Sequence, residues 1–218
     1  MNSTQFATTP NSQLNHRRRL LFAGLLCCVP ALQARAAAPQ ALVDAARTQI
    51  GVTRIYDGAY QTLSYPGGDV PLERGVCTDV LVRAYRTLGA DLQVLVHEDM
   101  RAHWRAYAAQ AKRWGMTAPN SHIDHRRVPN LAIFFGRHGK AFIPTKDAAR
   151  YQAGDVVAWK LRSGLPHIGI VTNKRTLFGT PLIIHNIGAG TREENELFSY
   201  DITGHFRYHP STLSAGSA

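Results

Sequence analysis

The sequence predicts an α+β domain, and three observations carry that prediction. The segments read as helices, with apolar residues at helical spacing, lie between about residues 40 and 111. Short β-like runs take over from Gln152. Those runs are joined by loops of only about ten residues with no helical crossover, and a parallel pairing would need a crossover of about a dozen or more. The expected arrangement is N-terminal helices packed on a C-terminal antiparallel β-sheet. There is no internal repeat and no sign of a second domain.

From Ala41 to Gly51, Leu42, Val43, Ala46 and Ile50 sit at helical spacing and predict a packing helix stopped by Gly51. Tyr56 to Pro71, with Pro66-Gly67-Gly68, reads as loop or short strand. Val80, Leu81, Ala84, Tyr85 and Leu88 form the clearest helical stripe in the chain. It begins at Cys77 and ends at Gly89. A further helical segment, with a break, spans Asp91 to Ala111, and a turn-rich stretch containing Asn120, His122 and Pro129 follows. The strand candidates are Asp155 to Trp159, His167 to Val171, Leu182 to Ile187 and Tyr200 to Tyr208.

Composition closes other classes. With 44% hydrophobic and 18% charged residues in 218, the chain is neither disordered nor low in complexity, and three cysteines cannot build a disulfide framework. The formal charge of +10 invites a nucleic-acid reading, which the N-terminus weakens. Residues 1–36 hold no acid. They carry the basic cluster His16 to Arg19, the apolar run Leu20 to Leu32 and the small-residue exit Ala34-Arg35-Ala36, which is the three-part pattern of a signal peptide. Arg17-Arg18 also fits a twin-arginine signal. Loss of this segment removes four of the 25 basic residues and no acid, leaving 21 against 15, a net +6 over residues 37–218. The remaining charge forms no aromatic-interleaved basic stripe, so no nucleic-acid partner is expected. The expected destination is the periplasm or the exterior, with no membrane span remaining and a monomeric state.

The same cleavage removes Cys27 and Cys28 and leaves Cys77 alone. One thiol cannot form an internal disulfide, and an unpaired thiol in an oxidising compartment invites a functional reading. Cys77 falls in the first turn of its helix, where unpaired backbone N–H groups and the positive end of the dipole favour a thiolate and can hold an oxyanion. The candidate proton acceptor is His167, opening its strand after Gly164-Leu165-Pro166. Its orienting partner is His185 or Asn186 on the next strand. Successive strand residues face opposite ways, so only one of the two can meet His167.

The order of Val76-Cys77-Thr78-Asp79, Gly154 to Val157, His167 to Val171 and Ile183-Ile184-His185 resembles the NlpC-type cell-wall hydrolases of the papain-like superfamily. Closest is domain-of-unknown-function family 1287, through Asp124-His125-Arg126-Arg127-Val128-Pro129-Asn130, Pro166-His167-Ile168-Gly169 and His185 to Gly190. The resemblance covers roughly residues 40 to 210. It implies a papain-like fold, a cysteine nucleophile, a histidine base and a third polar residue, carried over as Cys77, His167 and His185. The typical hydrolases have Asp-Cys-Ser at the nucleophile; this chain has Val76-Cys77-Thr78, with the acid displaced to Asp79.

Candidate substrate-binding residues are Asp79, Asp124, His125 and Arg126. Asp79 serves equally as a helix cap, and the arginine pair of Asp124-His125-Arg126-Arg127 suits either a carboxylate clamp or a solvated turn paired to nearby acids. His122 and His125, spaced by three, with His167 and His185 as further ligands, raise a metal reading that no His-Glu-x-x-His run or paired cysteines support, so neither metal nor other cofactor is expected. Together these readings describe an exported thiol peptidase or amidase acting on an amide bond of peptidoglycan peptides. The alternatives are acyl transfer by the same nucleophile and a non-catalytic envelope-binding module.

Overall fold

The computed structural model describes residues 39–210 together with Met1, so the signal-peptide segment 1–36 with Cys27 and Cys28 lies outside the described residues. Helix α1 covers residues 39–47. It is followed by β1 (Ile55–Tyr56), β2 (Arg74–Gly75), α2 (Cys77–Thr87), α3 (Leu92–Ala102), α4 (Trp104–Arg113) and α5 (Val128–His138). Then come β3 (Lys140–Phe142), β4 (Val156–Lys160), β5 (Pro166–Arg175), β6 (Pro181–Asn186), β7 (Thr191–Glu194) and β8 (Asp201–Arg207). Strands β3 to β8 form one six-stranded sheet in the order β3-β8-β4-β5-β6-β7, every pairing antiparallel. The α+β expectation therefore holds, with helices on an antiparallel sheet.

Helix α2 follows from its apolar stripe. Val80, Leu81, Ala84 and Tyr85 are buried and meet Ile168, Ile170 and Ile184 of the sheet in the main core. Its end is set by Leu88 and by Gly89 at φ +82°, a left-handed conformation that glycine adopts without steric penalty. The break expected between Asp91 and Ala111 falls at His103, between α3 and α4. Ile50, expected in the helical stripe, lies in the turn after α1 and is exposed.

Two elements depart from expectation. The stretch around Pro129, read as turns, contains the 3₁₀ turn Asp124–Arg126 and the whole of α5, because proline in the first helical turn forfeits an N–H that has no intrahelical partner anyway. Strand β7 has the sequence Thr-Arg-Glu-Glu, with no apolar alternation, and pairs with β6 through its backbone.

The sheet separates two cores. Ile168, Ile170 and Ile184 face the helices, whereas Val157, Trp159, Val171 and Ile183 face Tyr151 and Leu197 on the other side. The odd-numbered residues of β5 and β6 thus share one face, and this parity decides which site residues can meet.

Candidate active site

Cys77 is the first residue of α2, buried beneath the cleft, with Val76 as the extended N-cap. Strand β5 begins at Pro166, so His167 projects from its entrance. Both residues line one cleft of about 500 Å³, which Tyr56, Tyr60, Trp114 and Leu165 also border. Trp159 is core, and Trp114 is partly exposed at the rim.

His167 Nε2 lies 2.8 Å from His185 Nδ1, both side chains almost wholly buried. Strand parity settles the choice between neighbours. Asn186 turns to the helical side, where its Nδ2 donates to the Gly75 carbonyl at 3.0 Å and its Oδ1 accepts from the Gly188 N–H. Asn186 therefore fixes the backbone just before Cys77 instead of orienting His167. With Nε2 engaged, Nδ1 is the ring nitrogen of His167 that remains available, on a residue that borders the cleft. For Nδ1 to be the basic atom, Nε2 must carry the hydrogen and donate it to His185 Nδ1, which places the hydrogen of His185 on its Nε2. That atom is buried without a hydrogen-bond partner among the described residues, and Glu194 Oε1 on β7 is 3.8 Å away. Glu194 carries no sequence signal: only the β6–β7 register brings it near His185.

The electrostatics differ from the dipole-activated thiolate expected from helix position alone. Burial pushes the Cys77 thiol up to about 12, outweighing the lowering effect of the Ile168 backbone N–H and, less strongly, those of Thr78 and Cys77. Burial holds His167 down to about 3, with His185 adding to the effect, and holds His185 down to about 4. The resting pair is a neutral thiol and a neutral imidazole with no direct sulfur–imidazole hydrogen bond.

The four candidate binding residues do not form one surface. Asp79 Oδ2 accepts from the Val76 N–H at 2.7 Å as a helix cap, and Arg126 grips both carboxylate oxygens, Nε to Oδ1 at 3.0 Å and Nη2 to Oδ2 at 2.9 Å. Arg126 also donates to the carbonyls of Asp57 and Ala59. Its fork is thus occupied internally, tying the start of α2 to the 3₁₀ turn and the loop after β1. Thr78 Oγ1 donates to the Arg126 carbonyl across the same junction. Asp124 is fully buried and accepts from the Asn120 N–H at 2.8 Å, with His97 Nδ1 at the same distance. His125 is buried as well, and burial, followed by the charges of Arg126 and Arg86, lowers it to about 4. Of the four, only Arg126 borders the cleft. His122 Nδ1 lies 2.6 Å from the Leu63 carbonyl, so His122 and His125 hold separate structural positions. Sequence reading missed a second buried cluster, where Asp155 meets His205 at 2.7 Å and Arg207 at 2.6 Å on the opposite side of the sheet's centre.

The fold and site define an α+β protein with a buried cysteine at a helix start and a coupled histidine pair on the adjoining sheet, of which Cys77 and His167 share one cleft. The chain belongs to the family described as Domain of unknown function (DUF1287), whose model matches residues 43–208. It is 54% identical over 168 residues to the Escherichia coli (strain K12) protein "Uncharacterized protein YijF", covering 77% of this chain and 80% of that one. Among solved structures it is similar to NlpC1 from Trichomonas vaginalis, at 14% identity and a TM-score of 0.42, covering 78% of this chain. NlpC2 from the same organism is similar at 15% identity and a TM-score of 0.41, with the same coverage of this chain. The chain spans less than half of each of those two proteins, 44% and 46% respectively.

Proposed function

We propose that the protein is a papain-like cysteine hydrolase that cleaves an amide bond. The observation that carries this reading is the shared cleft of Cys77 and His167, with His167 anchored through Nε2 at 2.8 Å to His185 so that Nδ1 is left for the thiol. Substrate entry completes the arrangement, since hydrogen bonds of this kind often tighten only in the substrate complex. His167 Nδ1 then takes the proton from Cys77 Sγ as the sulfur bonds to the carbonyl carbon. The developing oxyanion is held by the backbone N–H of Cys77 in the first turn of α2, the Asp79 N–H being engaged by the Val76 carbonyl. The C–N bond breaks as His167 returns its proton to the leaving amine. Water, deprotonated by His167, next attacks the thioester, the C–S bond breaks and the proton returns to sulfur.

His185 is a positioning residue that fixes the His167 tautomer, with Glu194 behind it. The compartment expected from residues 1–36 makes the peptide part of peptidoglycan the substrate we assign. The test is digestion of purified peptidoglycan by the protein and by Cys77→Ala, with released fragments read by mass spectrometry. New peptide ends formed by the protein and absent with Cys77→Ala are expected; identical profiles on this substrate refute the assignment. Osmotic-shock fractionation of cells checks the compartment, with a cytoplasmic pool of unshortened chain as the contrary outcome.

A further inference from the structure

Arg126 and Arg127 are adjacent in sequence, and the fold gives them opposite roles. Arg126 is committed to Asp79 and to two carbonyls. Arg127 has no carboxylate partner among the described residues. Its guanidinium stacks over the Trp114 ring at 5.2 Å, and its Nε is buried with no hydrogen-bond acceptor among the described residues. Both Arg127 and Trp114 border the cleft that holds Cys77 and His167. Past Trp114, a second cavity of about 520 Å³ shares Trp114, Val128, Pro129 and Pro166 with the first, and adds Arg113 and Lys160. Neither of these cations has an ion pair among the described residues, and neither cavity has an Asp or Glu in its lining.

A half-buried guanidinium with an orphaned Nε–H bears a desolvation cost that stacking on tryptophan offsets only in part. An acceptor that brings negative charge removes the rest, and the planar fork of arginine matches a carboxylate in two-point geometry. We propose that this continuous groove recognises carboxylates on the substrate, with Arg127 as the specificity-determining residue beside the nucleophile. Arg113 and Lys160 attract a further carboxylate beyond Trp114. The Trp114 stack holds the Arg127 fork in place before the ligand arrives, which lowers the ordering cost of binding.

This inference rests on the cysteine-hydrolase reading, and the experiment separates the two. Soluble peptidoglycan fragments are prepared in two forms, with free carboxylates and with the same carboxylates converted to carboxamides by carbodiimide and ammonium. Binding to Cys77→Ala is measured by calorimetry, and turnover is measured with the intact protein. The free-acid fragments should bind Cys77→Ala about 10- to 100-fold more tightly than the amidated ones, as expected for hydrogen bonds to a charged group. Arg127→Gln in the Cys77→Ala background should erase most of that preference, and Arg127→Lys should restore part of it.

In turnover, the effect of Arg127→Gln should fall mainly on KM. An unchanged rate of Cys77 alkylation in Arg127→Gln verifies that the site is still assembled. Selective binding without turnover of either form supports the carboxylate groove and counts against the hydrolase reading. Turnover with equal use of both forms, or a preference that survives Arg127→Gln, overturns the groove.

Discussion

At the scale of single residues, two opposing effects act on Cys77. A helix start favours the thiolate by a fraction of a charge, whereas full burial removes the water that would solvate it, and burial wins. His167 is likewise held neutral, so the ion pair familiar from exposed thiol enzymes is absent at rest. Alkylation of Cys77 by iodoacetamide should therefore be slow at pH 6 to 7. Its rate should climb about tenfold per pH unit through pH 7 to 9, following a thiolate fraction far below its titration midpoint. Subtracting the profile of Cys77→Ala isolates this site from Cys27 and Cys28. His167→Ala should leave the slope nearly unchanged, because a neutral imidazole lends no charge to the sulfur. A plateau of fast labelling near pH 6 that disappears in His167→Ala would show a preformed ion pair and contradict this account.

At the scale of elements, the site depends on the close approach of β5 and β6, and Gly169 permits it. A Cβ added there would sit 2.7 Å from the Ile183 Cγ2, 3.0 Å from the Ile184 carbonyl oxygen and 3.1 Å from the His185 Cβ. Backbone and β-carbon atoms cannot rotate away, so the strand must shift, and His185 shifts with it. Gly169→Ala should lower stability by about 1–3 kcal/mol, the usual cost of overpacking, with the unfolding midpoint in urea as the measure. Activity on the digested substrate should fall further than the folded fraction does, because the His167–His185 contact is lost.

The role of Gly169 could not be read from its place in His-Ile-Gly-Ile-Val, although the strand itself could. Helix α2 and strands β4, β5, β6 and β8 were legible because their burial is one-sided or complete and leaves a period in the sequence. Helix α5 hid behind Pro129 and Asn130, although Leu131, Phe134 and Phe135 supply its buried stripe. Strand β7 is held by backbone pairing and leaves no period. Cys77 and His167 could be picked out by residue type and by their places at a helix start and a strand entrance. Parity left His185 and Asn186 open, and only the family resemblance pointed to His185. The division between Arg126 and Arg127 could not be read, since two adjacent arginines at a 3₁₀ turn carry no periodicity that says which one turns inward.

At the scale of the whole molecule, burial of ionisable groups ties stability to pH. His125, His167 and His185 all titrate well below the ordinary histidine value of about 6.5, chiefly through burial, at about 4, 3 and 4. The unfolded chain takes up protons at these residues as pH drops below about 6.5, and the folded chain resists until pH 3 to 4. Protons therefore favour unfolding over that window, and the contribution of these groups is complete only above about pH 6.5.

Asp155 and Glu193 act lower and in the same direction, whereas burial raises the Asp124 carboxyl, which works the opposite way. Burial opposes ionisation of Asp155, but His205 and Arg207 outweigh it, and Arg47 and Lys174 similarly hold Glu193 down to about 2. The stability these carboxylates supply is present above about pH 4 and disappears as pH falls through their folded values. The two windows adjoin, so unfolding free energy should decline steadily from neutral pH to pH 3 without an intermediate maximum. The upper part should fall by on the order of 1–4 kcal/mol per pH unit, since each histidine contributes at most about 1.4. Urea midpoints at unit steps from pH 8 to pH 4 measure the decline. His185→Gln, which has no proton to exclude, should flatten the limb between pH 6.5 and 4 by up to one histidine's share, whatever its effect on absolute stability. A midpoint constant from pH 7 to pH 5, or a slope unchanged in His185→Gln, would mean that these histidines gain protons in the folded state and that the interior around the site is wetter than its packing indicates.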